Sequence, residues 1–151
     1  KHTFDSNIGL ISLFESNGKI QEIQFEDQYK YNDEPSETIL SARSQILYYL
    51  DGKTKLMDFP YLLQGTEFEQ SVLKAMKALK YGEIISYKEL AIRSGHPMAF
   101  RAVGSVCRKN KLPLLFPCHR IIRSDGSIGQ YAGGTKAKEQ LLSLENNYSN
   151  D

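Results

Sequence analysis

Residues 101–126 read RAVGSVCRKNKLPLLFPCHRIIRSDG. The first nine follow helix spacing, with Arg101, Arg108 and Lys109 set among the small residues Ala102, Gly104 and Ser105. Asn110 to Phe116 reads as a loop containing Pro113. Pro117-Cys118-His119-Arg120 follows, then the strand-like pair Ile121–Ile122 and a turn at Asp125–Gly126. Just upstream, Ser86 and Glu89 form a capping signal that opens a short helix stopped by Gly95. Pro97 is expected at the first position of the next helix, which runs to about Lys109. Two short helices joined at a glycine make a candidate helix-turn-helix, with the second as its recognition helix.

A helix pair that merely packs would look the same, so charge has to separate the two readings. The net charge is +1, but residues 1–60 hold six Lys and Arg against ten Asp and Glu, and residues 61–151 hold thirteen against eight. From Leu90 to Ser124 there is no acid, while Arg93, Arg101, Arg108, Lys109, Lys111, Arg120 and Arg123 supply seven positive charges. That is the electrostatic footprint of a phosphate-backbone binder. The recognition helix offers few side-chain donors or acceptors with which to read base edges. Its small residues suit close approach to a minor groove and binding with little sequence specificity.

Outward from this region the chain divides near residue 62. Residues 63–151 begin with a capping box at Thr66 and Glu69, and Phe68, Val72, Ala75, Met76 and Leu79 continue a helix ended by Gly82. The glycine-rich run GQYAGG lets backbone approach a ligand, Thr135 is expected to cap a last helix through Glu145, and the polar tail ENNYSND to fray. Residues 1–62 read as a small α/β unit. Ile8–Phe14 and Ile20–Phe25 form a hairpin across Ser16-Asn17-Gly18, Ser36 caps a helix to about Leu50, and Lys55–Phe59 is a short third strand.

The 151 residues, 40% hydrophobic and 25% charged, have ordinary globular composition and suffice for a real core. No run of eighteen apolar residues spans a membrane, and the N-terminus lacks a signal-peptide pattern. Two cysteines are too few for a disulfide scaffold and suit a reducing cytoplasm. Cys107, Cys118, His2, His96 and His119 match no structural zinc spacing, so neither metal nor cofactor is expected.

Cys118 has two readings. A buried thiol beside a core histidine is a small hydrophobe. A thiol next to an imidazole is also the ordinary source of a thiolate nucleophile, the imidazole being oriented by a third, acidic group. In an extended segment Cys118 and His119 point to opposite sides, so their cooperation requires a turn or a bridging water. Glu145, after the apolar Leu141, Leu142 and Leu144, is the candidate orienting carboxylate. Beside a cationic helix-turn-helix, an alkylated base is a fitting electrophile for such a thiol.

Taken in order, RAVG, Asn110, PCHR and the segment Tyr131–Gly134 resemble the signature of the 6-O-alkylguanine-DNA alkyltransferases, the methylated-DNA–protein-cysteine methyltransferases. The similarity begins near Gly65 and continues to Glu145. It implies an α/β (α+β) fold, with a ribonuclease-H-like first domain followed by a mainly helical domain carrying the helix-turn-helix. It implies irreversible, stoichiometric transfer of an alkyl group from 6-O-alkylguanine to Cys118, with 4-O-methylthymine as a second candidate lesion. By the same resemblance His119 is the base acting through a water, Glu145 holds its imidazole, and Asn110 is the hinge between helix and active loop. Tyr87 helps rotate the nucleotide out and protonates the departing guanine. Arg101 fills the vacated place, and Ala102, Gly104, Arg108 and Arg120 join it at the DNA. Pro113, Tyr131 and Ala132 line the pocket, and backbone at Ile121 and Ala132 reads the guanine edge.

The implied partner is double-stranded DNA bound through its minor groove by a monomer, in the cytoplasm or at a bacterial nucleoid. Leu73 and Lys80 stand where the family often has tryptophan and proline, and Lys111 where proline often follows the asparagine; none is a reacting group. The same residues admit two rival readings. A thiol hydrolase using Cys118, His119 and Glu145 gives the basic helices no task, and it requires turnover. A non-catalytic damage sensor or DNA-binding regulator would not need the cysteine.

Overall fold

A computed structural model describes residues 1–29 and 32–148, and the chain forms two compact units, Lys1–Leu63 and Gln64–Asp151. In the first, β1 (His2–Phe4), β2 (Leu10–Ser16) and β3 (Lys19–Glu26) make an antiparallel sheet in that order. Asn17 and Gly18 both have positive φ, 53° and 78°, the conformation that a tight hairpin turn requires. Ile11, Leu13, Ile20 and Ile23 turn inward from β2 and β3. Helix α1 (Glu37–Leu50) covers them with Ile39, Ala42, Ile46 and Tyr49, and Ser36 Oγ caps it by accepting from the Ile39 N–H at 3.2 Å. The Arg43 guanidinium lies over the Phe4 ring, its carbon 5.6 Å from the centroid, and its Nη1 reaches His2 Nε2 at 3.2 Å.

Two details of this unit differ from the sequence reading. The third strand is β1, which is only three residues long and therefore carries no alternation to recognise. Lys55–Phe59 is not a strand: the Gln45 side chain satisfies both backbone groups of Asp58, and only Tyr61 bridges Ile20. A side chain has replaced the ladder there.

The second unit places four helices around a two-stranded parallel sheet, β4 (Ile85–Ser86) with β5 (Ile121–Ile122). Helix α2 (Glu67–Lys77) starts at the Thr66–Glu69 capping box and buries Val72, Leu73 and Met76. Helix α3 (Tyr87–Arg93) starts at Ser86, whose hydroxyl accepts from the Glu89 N–H at 3.1 Å. Gly95, at φ 86°, turns the chain toward α4 (Phe100–Arg108). Pro97 is not the first residue of α4: Ala99 N–H donates to His96, closing a turn over residues 96–99 and delaying the helix to Phe100.

The last helix, α5, spans Thr135–Tyr148. Thr135 lies within it and is not its cap; the Gly134 carbonyl accepts the first helical bond, from Lys138. Asn146–Tyr148 are helical where fraying was expected, and the rest of that tail, residues 149–151, lies outside the described residues. No helix of the described residues is long and apolar enough to cross a membrane.

Candidate active site

Asn110 ties the loop after α4 into shape. Its Nδ2 donates to the Phe116 carbonyl at 2.9 Å and its Oδ1 accepts from the Leu112 N–H at 3.0 Å. The loop is buried from Leu112 onward, and Leu114 sits in the left-handed region at φ 76°, a conformation costing a leucine roughly 1–2 kcal/mol. The chain then enters a single 3-10 turn, Cys118–Arg120, with Cys118 N–H on Phe116 and Arg120 N–H on Pro117. This turn is what the sequence could only state as a requirement. The tight turn points Cys118 away from the two residues that follow it. Cys118 faces a cavity, while His119 and Arg120 face α5.

Behind the cysteine lies a closed ionic network. His119, with no exposed surface, pairs Nε2 with Glu145 Oε2 at 2.8 Å. Arg120 grips the same carboxylate twice, Nε to Oε1 and Nη2 to Oε2, both at 2.8 Å, and gives Nη1 to the Leu79 carbonyl at 2.9 Å. The Gly82 N–H adds a bond to Oε1 at 3.1 Å; α2 ends at Lys77, capped at Ala78, so Gly82 is not the helix stop that the sequence suggested but a donor to α5. Burial by itself would raise the Glu145 pKa, but the bonds from His119 and Arg120 outweigh it and hold the carboxyl far below the ordinary carboxylate range. An ionised carboxylate only accepts, so the His119 proton belongs on Nε2 and its basic lone pair on Nδ1. Burial lowers the His119 pKa, opposed by Glu145, so the imidazole is neutral at physiological pH.

Arg120 therefore corrects the sequence reading. It was expected at the DNA, yet it is 7% exposed and its guanidinium is committed to Glu145 and Leu79. An arginine so placed has no fork left for a phosphate.

The cavity in front of Cys118 has a volume of about 240 Å³ and is walled by Tyr87, Cys107, Arg108, Gln130, Tyr131 and Ala132. Tyr131 and Ala132 lie where the sequence placed them, whereas Pro113 is buried in the loop, bridging to Phe116, and is not on this wall. Next to the cavity runs a groove of about 480 Å³, lined among others by Tyr87, Lys88, Arg101, Gly104, Arg108 and Arg123. Tyr87, Arg108 and Gln130 border both spaces. Arg101, Ala102 and Arg108 are exposed on α4, although Ala102 lines neither space.

Burial pushes the Cys118 thiol up, against the Asn110 amide and the Lys138 ammonium, which favour the thiolate. Cys107, on the same wall, is pushed up to about 12 by burial. The Tyr87 phenol is also raised, first by burial and then by the two cysteines. These groups rest protonated, so any thiolate has to be made on demand by a base.

Lys138 was missed in the sequence. It is fully buried, donates Nζ to the Ile121 carbonyl at 2.7 Å, and has its pKa lowered by burial while Cys118 and Cys107 pull it back up. Its signal was a lysine on the inward stripe of α5, with Ala137, Leu141 and Glu145. Gly129, at φ 78°, holds a left-handed conformation that favours glycine, beside Tyr87 Oη and Lys138 Nζ, which a Cβ there would meet in ordinary contact at 3.6 and 3.7 Å. Among the described residues no group of three or more His, Cys, Asp or Glu is placed to hold a metal.

Residues 67–147 match the family described as 6-O-methylguanine DNA methyltransferase, DNA binding domain. A methylated-DNA–protein-cysteine methyltransferase of Methanosarcina barkeri is 43% identical over 106 residues, 70% of this chain and 67% of that protein. One of Methanosarcina acetivorans is 36% identical over 148 residues, 94% of this chain and 95% of that protein. Among solved structures, Mycobacterium tuberculosis OGT in complex with DNA superposes with a TM-score of 0.85 at 34% identity, covering 97% of this chain and 92% of that one. The signature residues, the turn that presents Cys118 and these likenesses agree: the chain belongs to the 6-O-methylguanine-DNA methyltransferase family.

Proposed function

We propose that this protein repairs DNA by taking the alkyl group of 6-O-alkylguanine onto Cys118 Sγ, once per molecule. The observation that carries the reading is the placement of Cys118. It stands between a small cavity bordered by a cationic groove and a buried imidazole whose proton position is fixed by an ionised carboxylate.

The groove receives duplex DNA from the minor-groove side. Arg108, Arg123 and Lys88 meet phosphates, and the small Ala102 and Gly104 let α4 approach closely. The damaged atom lies within the base stack, so the nucleotide has to be everted into the cavity, at a cost of a few kcal/mol. Arg101 takes the vacated place in the stack, and Tyr131 and Ala132 hold the base against Cys118. The protein acts as a monomer and in a reducing compartment, where the thiol persists.

His119 Nδ1 removes the thiol proton through one water. The resulting thiolate attacks the alkyl carbon, a C–S bond forms and the C–O bond to guanine breaks. The departing guanine anion takes a proton from Tyr87 Oη at the mouth of the cavity, and the imidazolium proton restores the phenol through solvent. A thioether remains on Cys118 and has no hydrolytic exit, which accounts for a single turnover. Asn110 keeps the loop that carries Cys118 in register with α4.

The test is duplex DNA bearing a radiolabelled methyl on guanine O6. The label should move to the protein in acid-stable form at one equivalent. Cys118→Ala should stay unlabelled while still binding the duplex. Multiple turnovers on an activated ester without any mark on Cys118 would instead support a hydrolase.

A further inference from the structure

Phe100, the first residue of α4, keeps its ring 38% exposed at the edge of the cationic groove. Packing within the unit does not use the exposed part. Lys88 Nζ stands 5.4 Å from the ring centroid, and the Arg101 guanidinium carbon stands 6.0 Å from it, so the ring is flanked by two cations attracted to its π face. The groove that Phe100 lines contains no acid, and with Arg101, Arg108 and Arg123 it is complementary to a polyanion. A flat apolar ring set among phosphate-seeking cations fits a duplex whose base stack is already being opened. Apolar side chains that enter a minor groove work by lodging between base steps.

We infer that Phe100 is a second wedge, entering the minor groove beside Arg101 and lodging against the base step next to the everted nucleotide. Successive residues on a helix project about 100° apart, so the two side chains occupy neighbouring positions and do not compete for one gap. Arg101 fills the emptied place with a charged, planar group, and Phe100 covers the adjoining base face. Lys88, held over the ring, meets the phosphate flanking the wedge. The task is positioning: the ring lines the groove and not the cavity that holds Cys118. The inference rests on the DNA-repair reading for the everted nucleotide, but the wedge itself can be observed without chemistry.

The experiment compares wild type, Phe100→Ala and Phe100→Leu, each checked for an unchanged thermal melt. Two rates are measured, alkyl transfer from a duplex and transfer from free 6-O-benzylguanine base. Fluorescence of 2-aminopurine placed beside the lesion reports opening of the step. Phe100→Ala should slow duplex transfer about tenfold more than free-base transfer and blunt the fluorescence rise. Phe100→Leu, still an apolar wedge, should recover most of both. Equal slowing on the two substrates, an unchanged duplex rate, or a leucine variant no better than alanine would each overturn the wedge. A wild type that transfers nothing, yet brightens 2-aminopurine only when Phe100 is present, would sink the repair reading and leave the wedge standing.

Discussion

Arg120 Nε and Nη2 each donate to a separate oxygen of Glu145 at 2.8 Å, and that carboxylate in turn accepts from His119 at 2.8 Å. A residue whose sequence context is a run of cations thus serves as the counter-ion of the buried Glu145 carboxylate. Its two charge-assisted bonds keep Glu145 an acceptor whatever His119 does. The imidazole is held in one tautomer by a partner outside the Cys-His-Glu set.

Removing Arg120 should therefore cost stability. Arg120→Ala leaves Glu145 buried without the two hydrogen bonds that Arg120 gives it, a class of change that costs about 3–5 kcal/mol. Urea denaturation of the variant against wild type measures it. A loss below about 1 kcal/mol would mean that the network is not as closed as the geometry shows.

Salt dependence separates the arginines. Each phosphate contact contributes about 0.9 to the slope of log affinity against log salt. Arg108→Ala, at an exposed groove position, should reduce the slope for undamaged duplex by about that amount. Arg120→Lys, at a buried position, should leave it unchanged.

Glu145→Gln preserves shape but removes the fixed acceptor. Its amide can donate to Nε2, which moves the imidazole proton to Nδ1 and removes the base from the cysteine side. A wrong-tautomer variant of this kind loses about 10⁴ in rate. Single-turnover transfer should slow on that order while duplex affinity stays within a few-fold. An unslowed rate would take Glu145 out of the mechanism.

The pH profile follows from the two buried partners. Burial lowers the His119 pKa below 6.5, so the transfer rate should hold through pH 6.5 and fall only in more acid solution, as Nδ1 takes a proton. Stability has the same sign. Glu145 is depressed in the fold from its ordinary 4.5, so its contribution is complete above 4.5, shrinks below it, and is gone once the pH passes the folded value. Neutral His119 likewise favours the fold above its unfolded value and loses that preference as pH falls. Rate and denaturation midpoints measured between pH 4 and 8 should show both losses on the acid side. A rate halved already at pH 7 would contradict the burial of His119.

What the sequence made legible was mostly local. Thr66 with Glu69, Ser86, Asn17-Gly18 and Gly95 each encode a cap or turn in a few adjacent residues and form as expected, whereas Glu89 accepts from Arg93 and does not close a second box with Ser86. Cys118, His119 and Glu145 were found because an imidazole between a thiol and a carboxylate is a recurrent chemical pattern, and the structure joins His119 to Glu145 across 26 positions. Arg120 and Pro113 were misread because their direction depends on one 3-10 turn and one strained loop, and neither has periodicity. Lys138 was overlooked because a lysine on a helix is ordinarily solvated; only its carbonyl partner Ile121, seventeen residues away, reveals why it is buried. The Lys55–Phe59 strand failed because Gln45, on a helix, supplied the hydrogen bonds that a neighbouring strand would have made.

The most direct test is the mass of the protein after incubation with duplex DNA carrying 6-O-methylguanine, followed by digestion. One methyl group's mass should appear on the peptide containing Cys118 and none on the one containing Cys107, with an equal quantity of guanine restored in the DNA. Restored guanine with an unmodified Cys118, or a mark on Cys107 instead, would contradict transfer to Cys118.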